Sequence, residues 1–287
     1  MAAILEFTER PETETPAPRL ANRTHNVTSQ RRRRFLRVGS IALCIGLWQL
    51  AVRYKLSLGF ISFGNVPAPA DVAPALWSLL HSMKLPLDLA ASVYRVLAGF
   101  CAAAATGILL GLAIGRHRAL EDLLLPPLEM LRPIPAVAWI PLAILLFPSS
   151  EISMIFITFV GALFPILLNT LHGVDTVDPR LVATARGLGA TRLGVYTEVI
   201  LPAAAPAIFA GLAIGMGTAW FCLVTAEMIA GQYGIGYFTW ESYTLQNYAD
   251  IVVGMAFIGV LGMGSSLLLK RVGIALTPWH QARRGHR

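Results

Sequence analysis

The chain has 287 residues, of which 55% are hydrophobic and only 14% charged, with a formal net charge of +7. A mean hydropathy of +0.63 lies outside the balance of a soluble domain, so the sequence reads as an integral membrane protein. The positive balance does not indicate nucleic acid, because no aromatic residues interleave with the basic ones and most of these stand at the ends of apolar runs.

Residues 1–34 are rich in Pro, Thr, Glu and Arg and lack hydrophobic periodicity, which predicts a disordered basic cytoplasmic tail. Too many polar residues precede Arg31-Arg32-Arg33-Arg34 for a cleaved signal peptide, so 35–54 reads as a retained first transmembrane span. The Pro-rich stretch NVPAPADVAPALWSLLHSMKLP at 65–86 predicts a periplasmic interfacial helix capped by Asp71, with Leu76, Leu79, Leu80 and Met83 at helical spacing. Further apolar runs cover 89–115, 123–147, 152–173, 205–230 and 250–270, each long enough to cross a hydrocarbon core. The expected fold is an all-α polytopic membrane protein of six transmembrane helices, a five-helix core over 87–276 plus the N-terminal span. A cytoplasmic loop at 174–202 interrupts the core, and 277–287 forms a second basic tail.

Orientation follows from the basic residues near span ends. With the N-terminus cytoplasmic, that side receives Arg31 to Arg34, Arg37, Arg116, Arg118, Arg180, Arg186, Arg192, Lys270 and Arg271 together with both tails. The other side receives only Arg53, Lys55 and Lys84, while Arg95 and Arg132 fall within or beside spans. Both termini and the loop are therefore expected in the cytoplasm.

Cys44, Cys101 and Cys222 lie far apart inside apolar runs, without the spacing of a metal site or a disulfide framework, and read as small packing residues. The six histidines are scattered rather than clustered with carboxylates or serine, so no membrane-enzyme constellation is found. Matched halves of the kind found in many secondary transporters are not visible. The phosphate-cradling pattern GxxxxGK[ST] is missing, so the chain is expected to bind no nucleotide, and the cysteine and histidine spacing gives no reason to expect a metal.

The loop has a grammar of its own. Asp178-Pro179 provides a cap and a proline at the first helical position, and Leu181, Ala185 and Leu188 are expected on one exposed face. Gly189 breaks this helix, at a positive φ or at a close contact, and a second short helix from about Thr191 to Val199 is expected to end before Pro202. A helix-turn-helix with exposed apolar side chains in a cytoplasmic loop wants a protein partner, unless it packs on its own membrane domain.

Spacing shifts the balance toward a partner. The stretch resembles the EAA loop of binding-protein-dependent ABC transporter permeases, whose pattern is Glu-Ala-Ala, three residues, Gly, nine residues, Ile, any residue, Leu-Pro. The matching positions are Ala183, Thr184, Ala185, Gly189, Val199, Leu201 and Pro202, with Arg186 and Leu188 between them. Ala183 and Thr184 stand where the family has Glu and Ala. The segments at 92–115, 131–147, 164–181 and 218–230 resemble the nitrate, sulfonate and taurine branch of the family. The resemblance implies a permease subunit of the bacterial cell inner membrane, paired with a second permease copy. It also implies a periplasmic substrate-binding protein and a cytoplasmic ABC ATPase dimer that holds ATP and Mg. The loop would dock on the ATPase, and the substrate would be a small anion, sulfonate or taurine first and nitrate second.

Candidate translocation-path residues come from the spans. Arg95 and Glu227 are ionisable groups in apolar surroundings, where facing lipid is costly. Arg95 either attracts an anion or snorkels to the outer interface, and Glu227 either lines the path or pairs with a base. Arg132, Pro133 and Pro135 predict a kink in the third span. Asn169, with His172 one turn on, closes the fourth span, and Trp220 lines the path or a helix interface. Gly107, Gly111 and Gly115 at every fourth position predict a close helix approach.

Overall fold

A computed structural model describes residues 24–57, 59 and 63–279, with side chains from residue 36 onward except that of residue 37. The expectations for residues 1–23 and 280–287 lie outside the described residues. Regular structure among the described residues is helical. The chain divides into two units, Met1–Gly64 and Asn65–Arg287. The first contributes α1, Thr24–Arg53, which begins inside the stretch expected to be a disordered tail. Its apolar part, Val38–Arg53, rises about 24 Å at 1.5 Å per residue, short of the roughly 30 Å of a hydrocarbon core.

The second unit opens with α2, Pro69–Leu80, where Asp71 reaches back to accept a hydrogen bond from the Ala68 N–H at 3.1 Å. Met83 lies beyond the end of this helix and is exposed. The remaining elements are α3 (Lys84–Ile114), α4 (Arg118–Leu131), a 3-10 turn (Ala136–Trp139) leading into α5 (Ile140–Leu146), and α6 (Ser150–Asp175). They continue with α7 (Pro179–Gly187), α8 (Arg192–Gly194), a π-turn (Val195–Ile200), α9 (Leu201–Ala230), α10 (Ile235–Thr244) and α11 (Tyr248–Leu276). Four stretches, Lys84–Ile114, Ser150–Asp175, Arg192–Ala230 and Tyr248–Leu276, are long and apolar enough to cross a membrane. The pair Arg118–Leu131 and Ala136–Leu146 makes a fifth if taken as one span bent by 87°. The bend falls at Arg132-Pro133-Ile134-Pro135, where two missing N–H donors leave the helical ladder without partners and the exposed backbone turns.

At the centre, α6 packs on α3 along one side and on α9 along the other. Small residues make this approach close. A methyl group added at Gly99 would stand 2.7 Å from Thr158 Cβ, and one at Gly111 2.7 Å from Thr170 Cβ. Gly107 and Gly115 meet Ile166 and Val174 in the same register, so the every-fourth-residue stripe is buried within one chain. On α9, Gly211 and Gly215 repeat the device against Asn169 and Ile166. The main core holds Phe100, Met154, Ile157, Ile166, Trp220 and Leu223 among others. A second, smaller core of Val174, Val195, Ile200, Ala204 and Ile208 lies at the loop end. Of the three cysteines only Cys222 is buried, whereas Cys44 and Cys101 are exposed, which corrects the packing assignment for those two.

Candidate functional site

The loop between α6 and α9 forms as its local chemistry dictates. The Asp178 side chain accepts from the Arg180 N–H at 2.9 Å, Pro179 occupies the first turn of α7, and the helix ends in a turn at Leu188. Gly189 has φ +84°, and a Cβ there would meet nothing within 4 Å. Of the two reasons expected for this glycine, the left-handed backbone is the operative one. Thr191 then caps α8, accepting from the Gly194 N–H at 3.1 Å.

The second helix does not stop before Pro202. It passes through the π-turn, in which the Leu201 N–H bonds to the Tyr196 carbonyl, and runs into α9 as one stretch, Arg192–Ala230. Wider hydrogen-bond rings let the ladder pass a residue that lacks a donor, so Pro202 sits inside a continuous rod.

The expected shared face is also revised. Leu188 is 84% exposed, and Leu181 and Leu193 are exposed too, whereas Ala185 packs against the small second core. Leu188 falls at the C-cap, past the last helical residue Gly187, so it leaves the face on which Ala185 meets the core. Ala183, Thr184 and Arg186 are exposed, Val199 is half-buried, and Leu201 and Pro202 stand at the start of α9.

At the opposite end of the helices lies a knot of charges, assembled across long sequence distances. Arg95 on α3 is fully buried. Its Nη1 donates to Glu227 Oε1 at 2.7 Å and to the Tyr233 carbonyl at 2.8 Å, and its Nε donates to Glu151 Oε2 at 2.8 Å. Nη2 closes a two-pronged pair with Glu151, and the guanidinium lies 4.5 Å from the Tyr233 ring centroid. Glu227, buried at the end of α9, also accepts from the Ser92 hydroxyl at 2.8 Å and the Gly236 N–H at 2.9 Å. Ser92 Oγ in turn accepts from the Ile235 N–H, and Asp88 accepts from the Gly234 N–H. Gly234, at φ +120°, lies so close to the Glu227 carboxylate that a side chain there would collide with it. The Tyr233 hydroxyl, outside the spans, is raised above the usual tyrosine range chiefly by its hydrogen bond to Glu151.

Arg95 therefore neither snorkels nor offers a free charge to an anion, and Glu227 is its partner. The other path candidates stay apart. Trp220 is buried and donates from Nε1 to Ser265 Oγ at 3.0 Å, joining α9 to α11 beside an apolar cavity of about 370 Å³. Asn169 Nδ2 bonds the Pro165 carbonyl at 2.8 Å and packs under Gly211. Arg132, Pro133 and Pro135 are exposed at the bend, and His172 is exposed near the end of α6. Sequence reasoning missed Glu151, Ser92, Asp88 and α10. The available signal was Glu227 followed at once by Gly231, Gly234 and Gly236, an acidic residue beside backbone that could close on it. Among the described residues no cluster of His, Cys, Asp and Glu could hold a metal ion.

Comparison with known proteins agrees with this architecture. Residues 105–279 match the family described as "Binding-protein-dependent transport system inner membrane component". The "Putative ABC transporter permease protein" of Methanocaldococcus jannaschii is 42% identical over 79% of this chain and 85% of its own length. The "Putative aliphatic sulfonates transport permease protein SsuC" of Escherichia coli is 38% identical over 85% of this chain and 91% of its own. The "Nitrate import permease protein NrtB" of Synechocystis is 33% identical over 78% and 82%.

Proposed function

Because the chain belongs to the binding-protein-dependent ABC transporter inner-membrane permeases, we propose that it forms the translocation path of an importer for a small organic sulfonate such as taurine. Family membership sets aside the secondary transporter and the membrane enzyme. The observation that carries the mechanical part is the loop at 178–202, whose exposed leucines present a docking face and whose second helix is continuous with a spanning helix. Closure of a cytoplasmic ATPase dimer around bound ATP and Mg moves α7 and α8, and the unbroken Arg192–Ala230 rod carries that displacement through the bilayer. The Arg95 knot holds α3, α6, α9 and the start of α10 together at the far end, so the helices move as a body about a stiff end. This chain binds no nucleotide itself, and a periplasmic binding protein delivers the substrate.

One chain carries one such loop, whereas an ATPase dimer presents two equivalent grooves, so two copies of the permease satisfy the symmetry. The distribution of basic residues favours a cytoplasmic loop, and both termini reach that side if α1, whose apolar part is shorter than a hydrocarbon core, makes a sixth crossing with local thinning of the bilayer. Sulfonate is put before nitrate on identity alone, 38% for the sulfonate relative against 33% for the nitrate relative. The test is reconstitution of the chain with its ATPase and binding protein in proteoliposomes. ATP-dependent uptake of labelled taurine or an alkanesulfonate is expected. Uptake of nitrate alone would favour the second substrate, and uptake without any ATPase would overturn the permease role.

A further inference from the structure

At the loop end of the helices a cavity of about 660 Å³ opens between two segments distant in sequence. The turn between α3 and α4 supplies Arg116, His117 and Arg118, and the loop supplies Arg186 and Arg192. Its remaining wall is Ala190, Val195 and Tyr196, which belong to or pack on the small second core. Four guanidinium groups therefore converge on a fixed floor. None of them is ion-paired among the described residues, where the pairs are Lys84–Glu241, Arg95–Glu151 and Arg95–Glu227. Glu121 and Asp122, the acidic residues nearest in sequence, do not line the cavity.

A second feature has the same sign. His117 caps α4 without a side-chain hydrogen bond. The Leu120 and Glu121 N–H groups return to the His117 carbonyl, but those of Arg118 and Ala119 have no acceptor among the described residues. The positive end of a 14-residue helix thus opens where the arginines gather.

Depth identifies the anion. The cavity begins directly after Ile114, the last residue of a helix apolar enough to span the bilayer, which puts it in the headgroup layer on the side where basic residues face anionic lipid. Its volume far exceeds the needs of a lone small oxyanion and accommodates a phosphodiester with its glycerol. We propose that this cavity binds the phosphate of an anionic phospholipid headgroup, bridging the α3–α4 turn to the loop and holding α8 against the bundle.

The test uses the full chain in nanodiscs of phosphatidylcholine with added phosphatidylglycerol, with lipid retained after detergent exchange read by native mass spectrometry. Phosphatidylglycerol is expected to be retained over phosphatidylcholine, and Arg116→Gln with Arg118→Gln to lower that preference by roughly tenfold or more. The pair Lys270→Gln with Arg271→Gln, which removes two charges from the end of α11, is expected to leave it unchanged. If the first pair fails to fold, Arg192→Gln reads the same preference from the opposite wall. Equal retention of both lipids, or equal losses in the two double variants, would overturn the proposal. So would protection by inorganic phosphate without any lipid preference, which would indicate a free anion. Normal lipid retention with loss of the bound ATPase in the first pair would assign the cavity to protein carboxylates and would overturn it as well.

Discussion

Arg95 is a buried guanidinium with two carboxylate partners, and its removal leaves the fully buried Glu227 without its charged partner. Breaking such a pair from one side costs about 3–5 kcal/mol, so Arg95→Met should lower the unfolding midpoint of the purified protein by many degrees. Glu227→Gln should cost less, because Glu151 still neutralises Arg95. Equal, small shifts in both variants would mean that the knot does not stabilise the fold. Gly189 poses the opposite problem, because its surroundings are empty and only its backbone is unusual. Forcing a β-branched side chain into that conformation costs about 1–2 kcal/mol, enough to redirect the loop without unfolding the helices. Gly189→Val should therefore reduce ATP-driven uptake strongly at normal membrane levels, whereas Gly189→Asn, which tolerates positive φ, should retain most of it. Similar uptake in the two variants would show that the turn's geometry is immaterial.

Between elements, the tightest requirement is the α3–α6 contact, where Gly111 faces Thr170 with no room for a side chain. Gly111→Leu should cost about 1–3 kcal/mol by overpacking and lower the yield of folded protein, while a leucine at exposed Thr106 should not. Fluorescence-detected size exclusion of both variants makes the comparison. This stripe was legible in the sequence because its period matches the helix, and so was the loop, because Asp178-Pro179 and Gly189 act locally on their own backbone. The 87° turn in the third apolar run was legible as a kink at Pro133 and Pro135, though not in size, which depends on what packs beside it. Features built across long sequence separations were not legible. Nothing near Ser92 announces the backbone of Ile235, and nothing near Glu151 announces Arg95. The run through Pro202 was misjudged because proline weakens a regular α-helix, and only the π-turn reveals how the ladder passes it.

For the molecule as a whole, the continuous stretch Arg192–Ala230 joins an exposed loop at one end to the buried charged knot at the other. The proposed topology expects reporter fusions at Asn65 and at Ala190 to report opposite faces of the membrane, and the same face for both would exclude it. The central claim is that the loop is the lever moved by an ATPase, and Leu188 tests it more directly than Ala185, which packs on the protein's own core. A charge at a fully exposed position does not disturb the fold, yet it is strongly unfavourable once desolvated in a contact. The measurement is co-purification of the ATPase with the Leu188→Glu permease, alongside substrate-stimulated ATP hydrolysis, at matched levels of folded protein. The account predicts loss of the bound ATPase and of stimulated hydrolysis with the helical bundle intact. Retention of both at wild-type levels would contradict it.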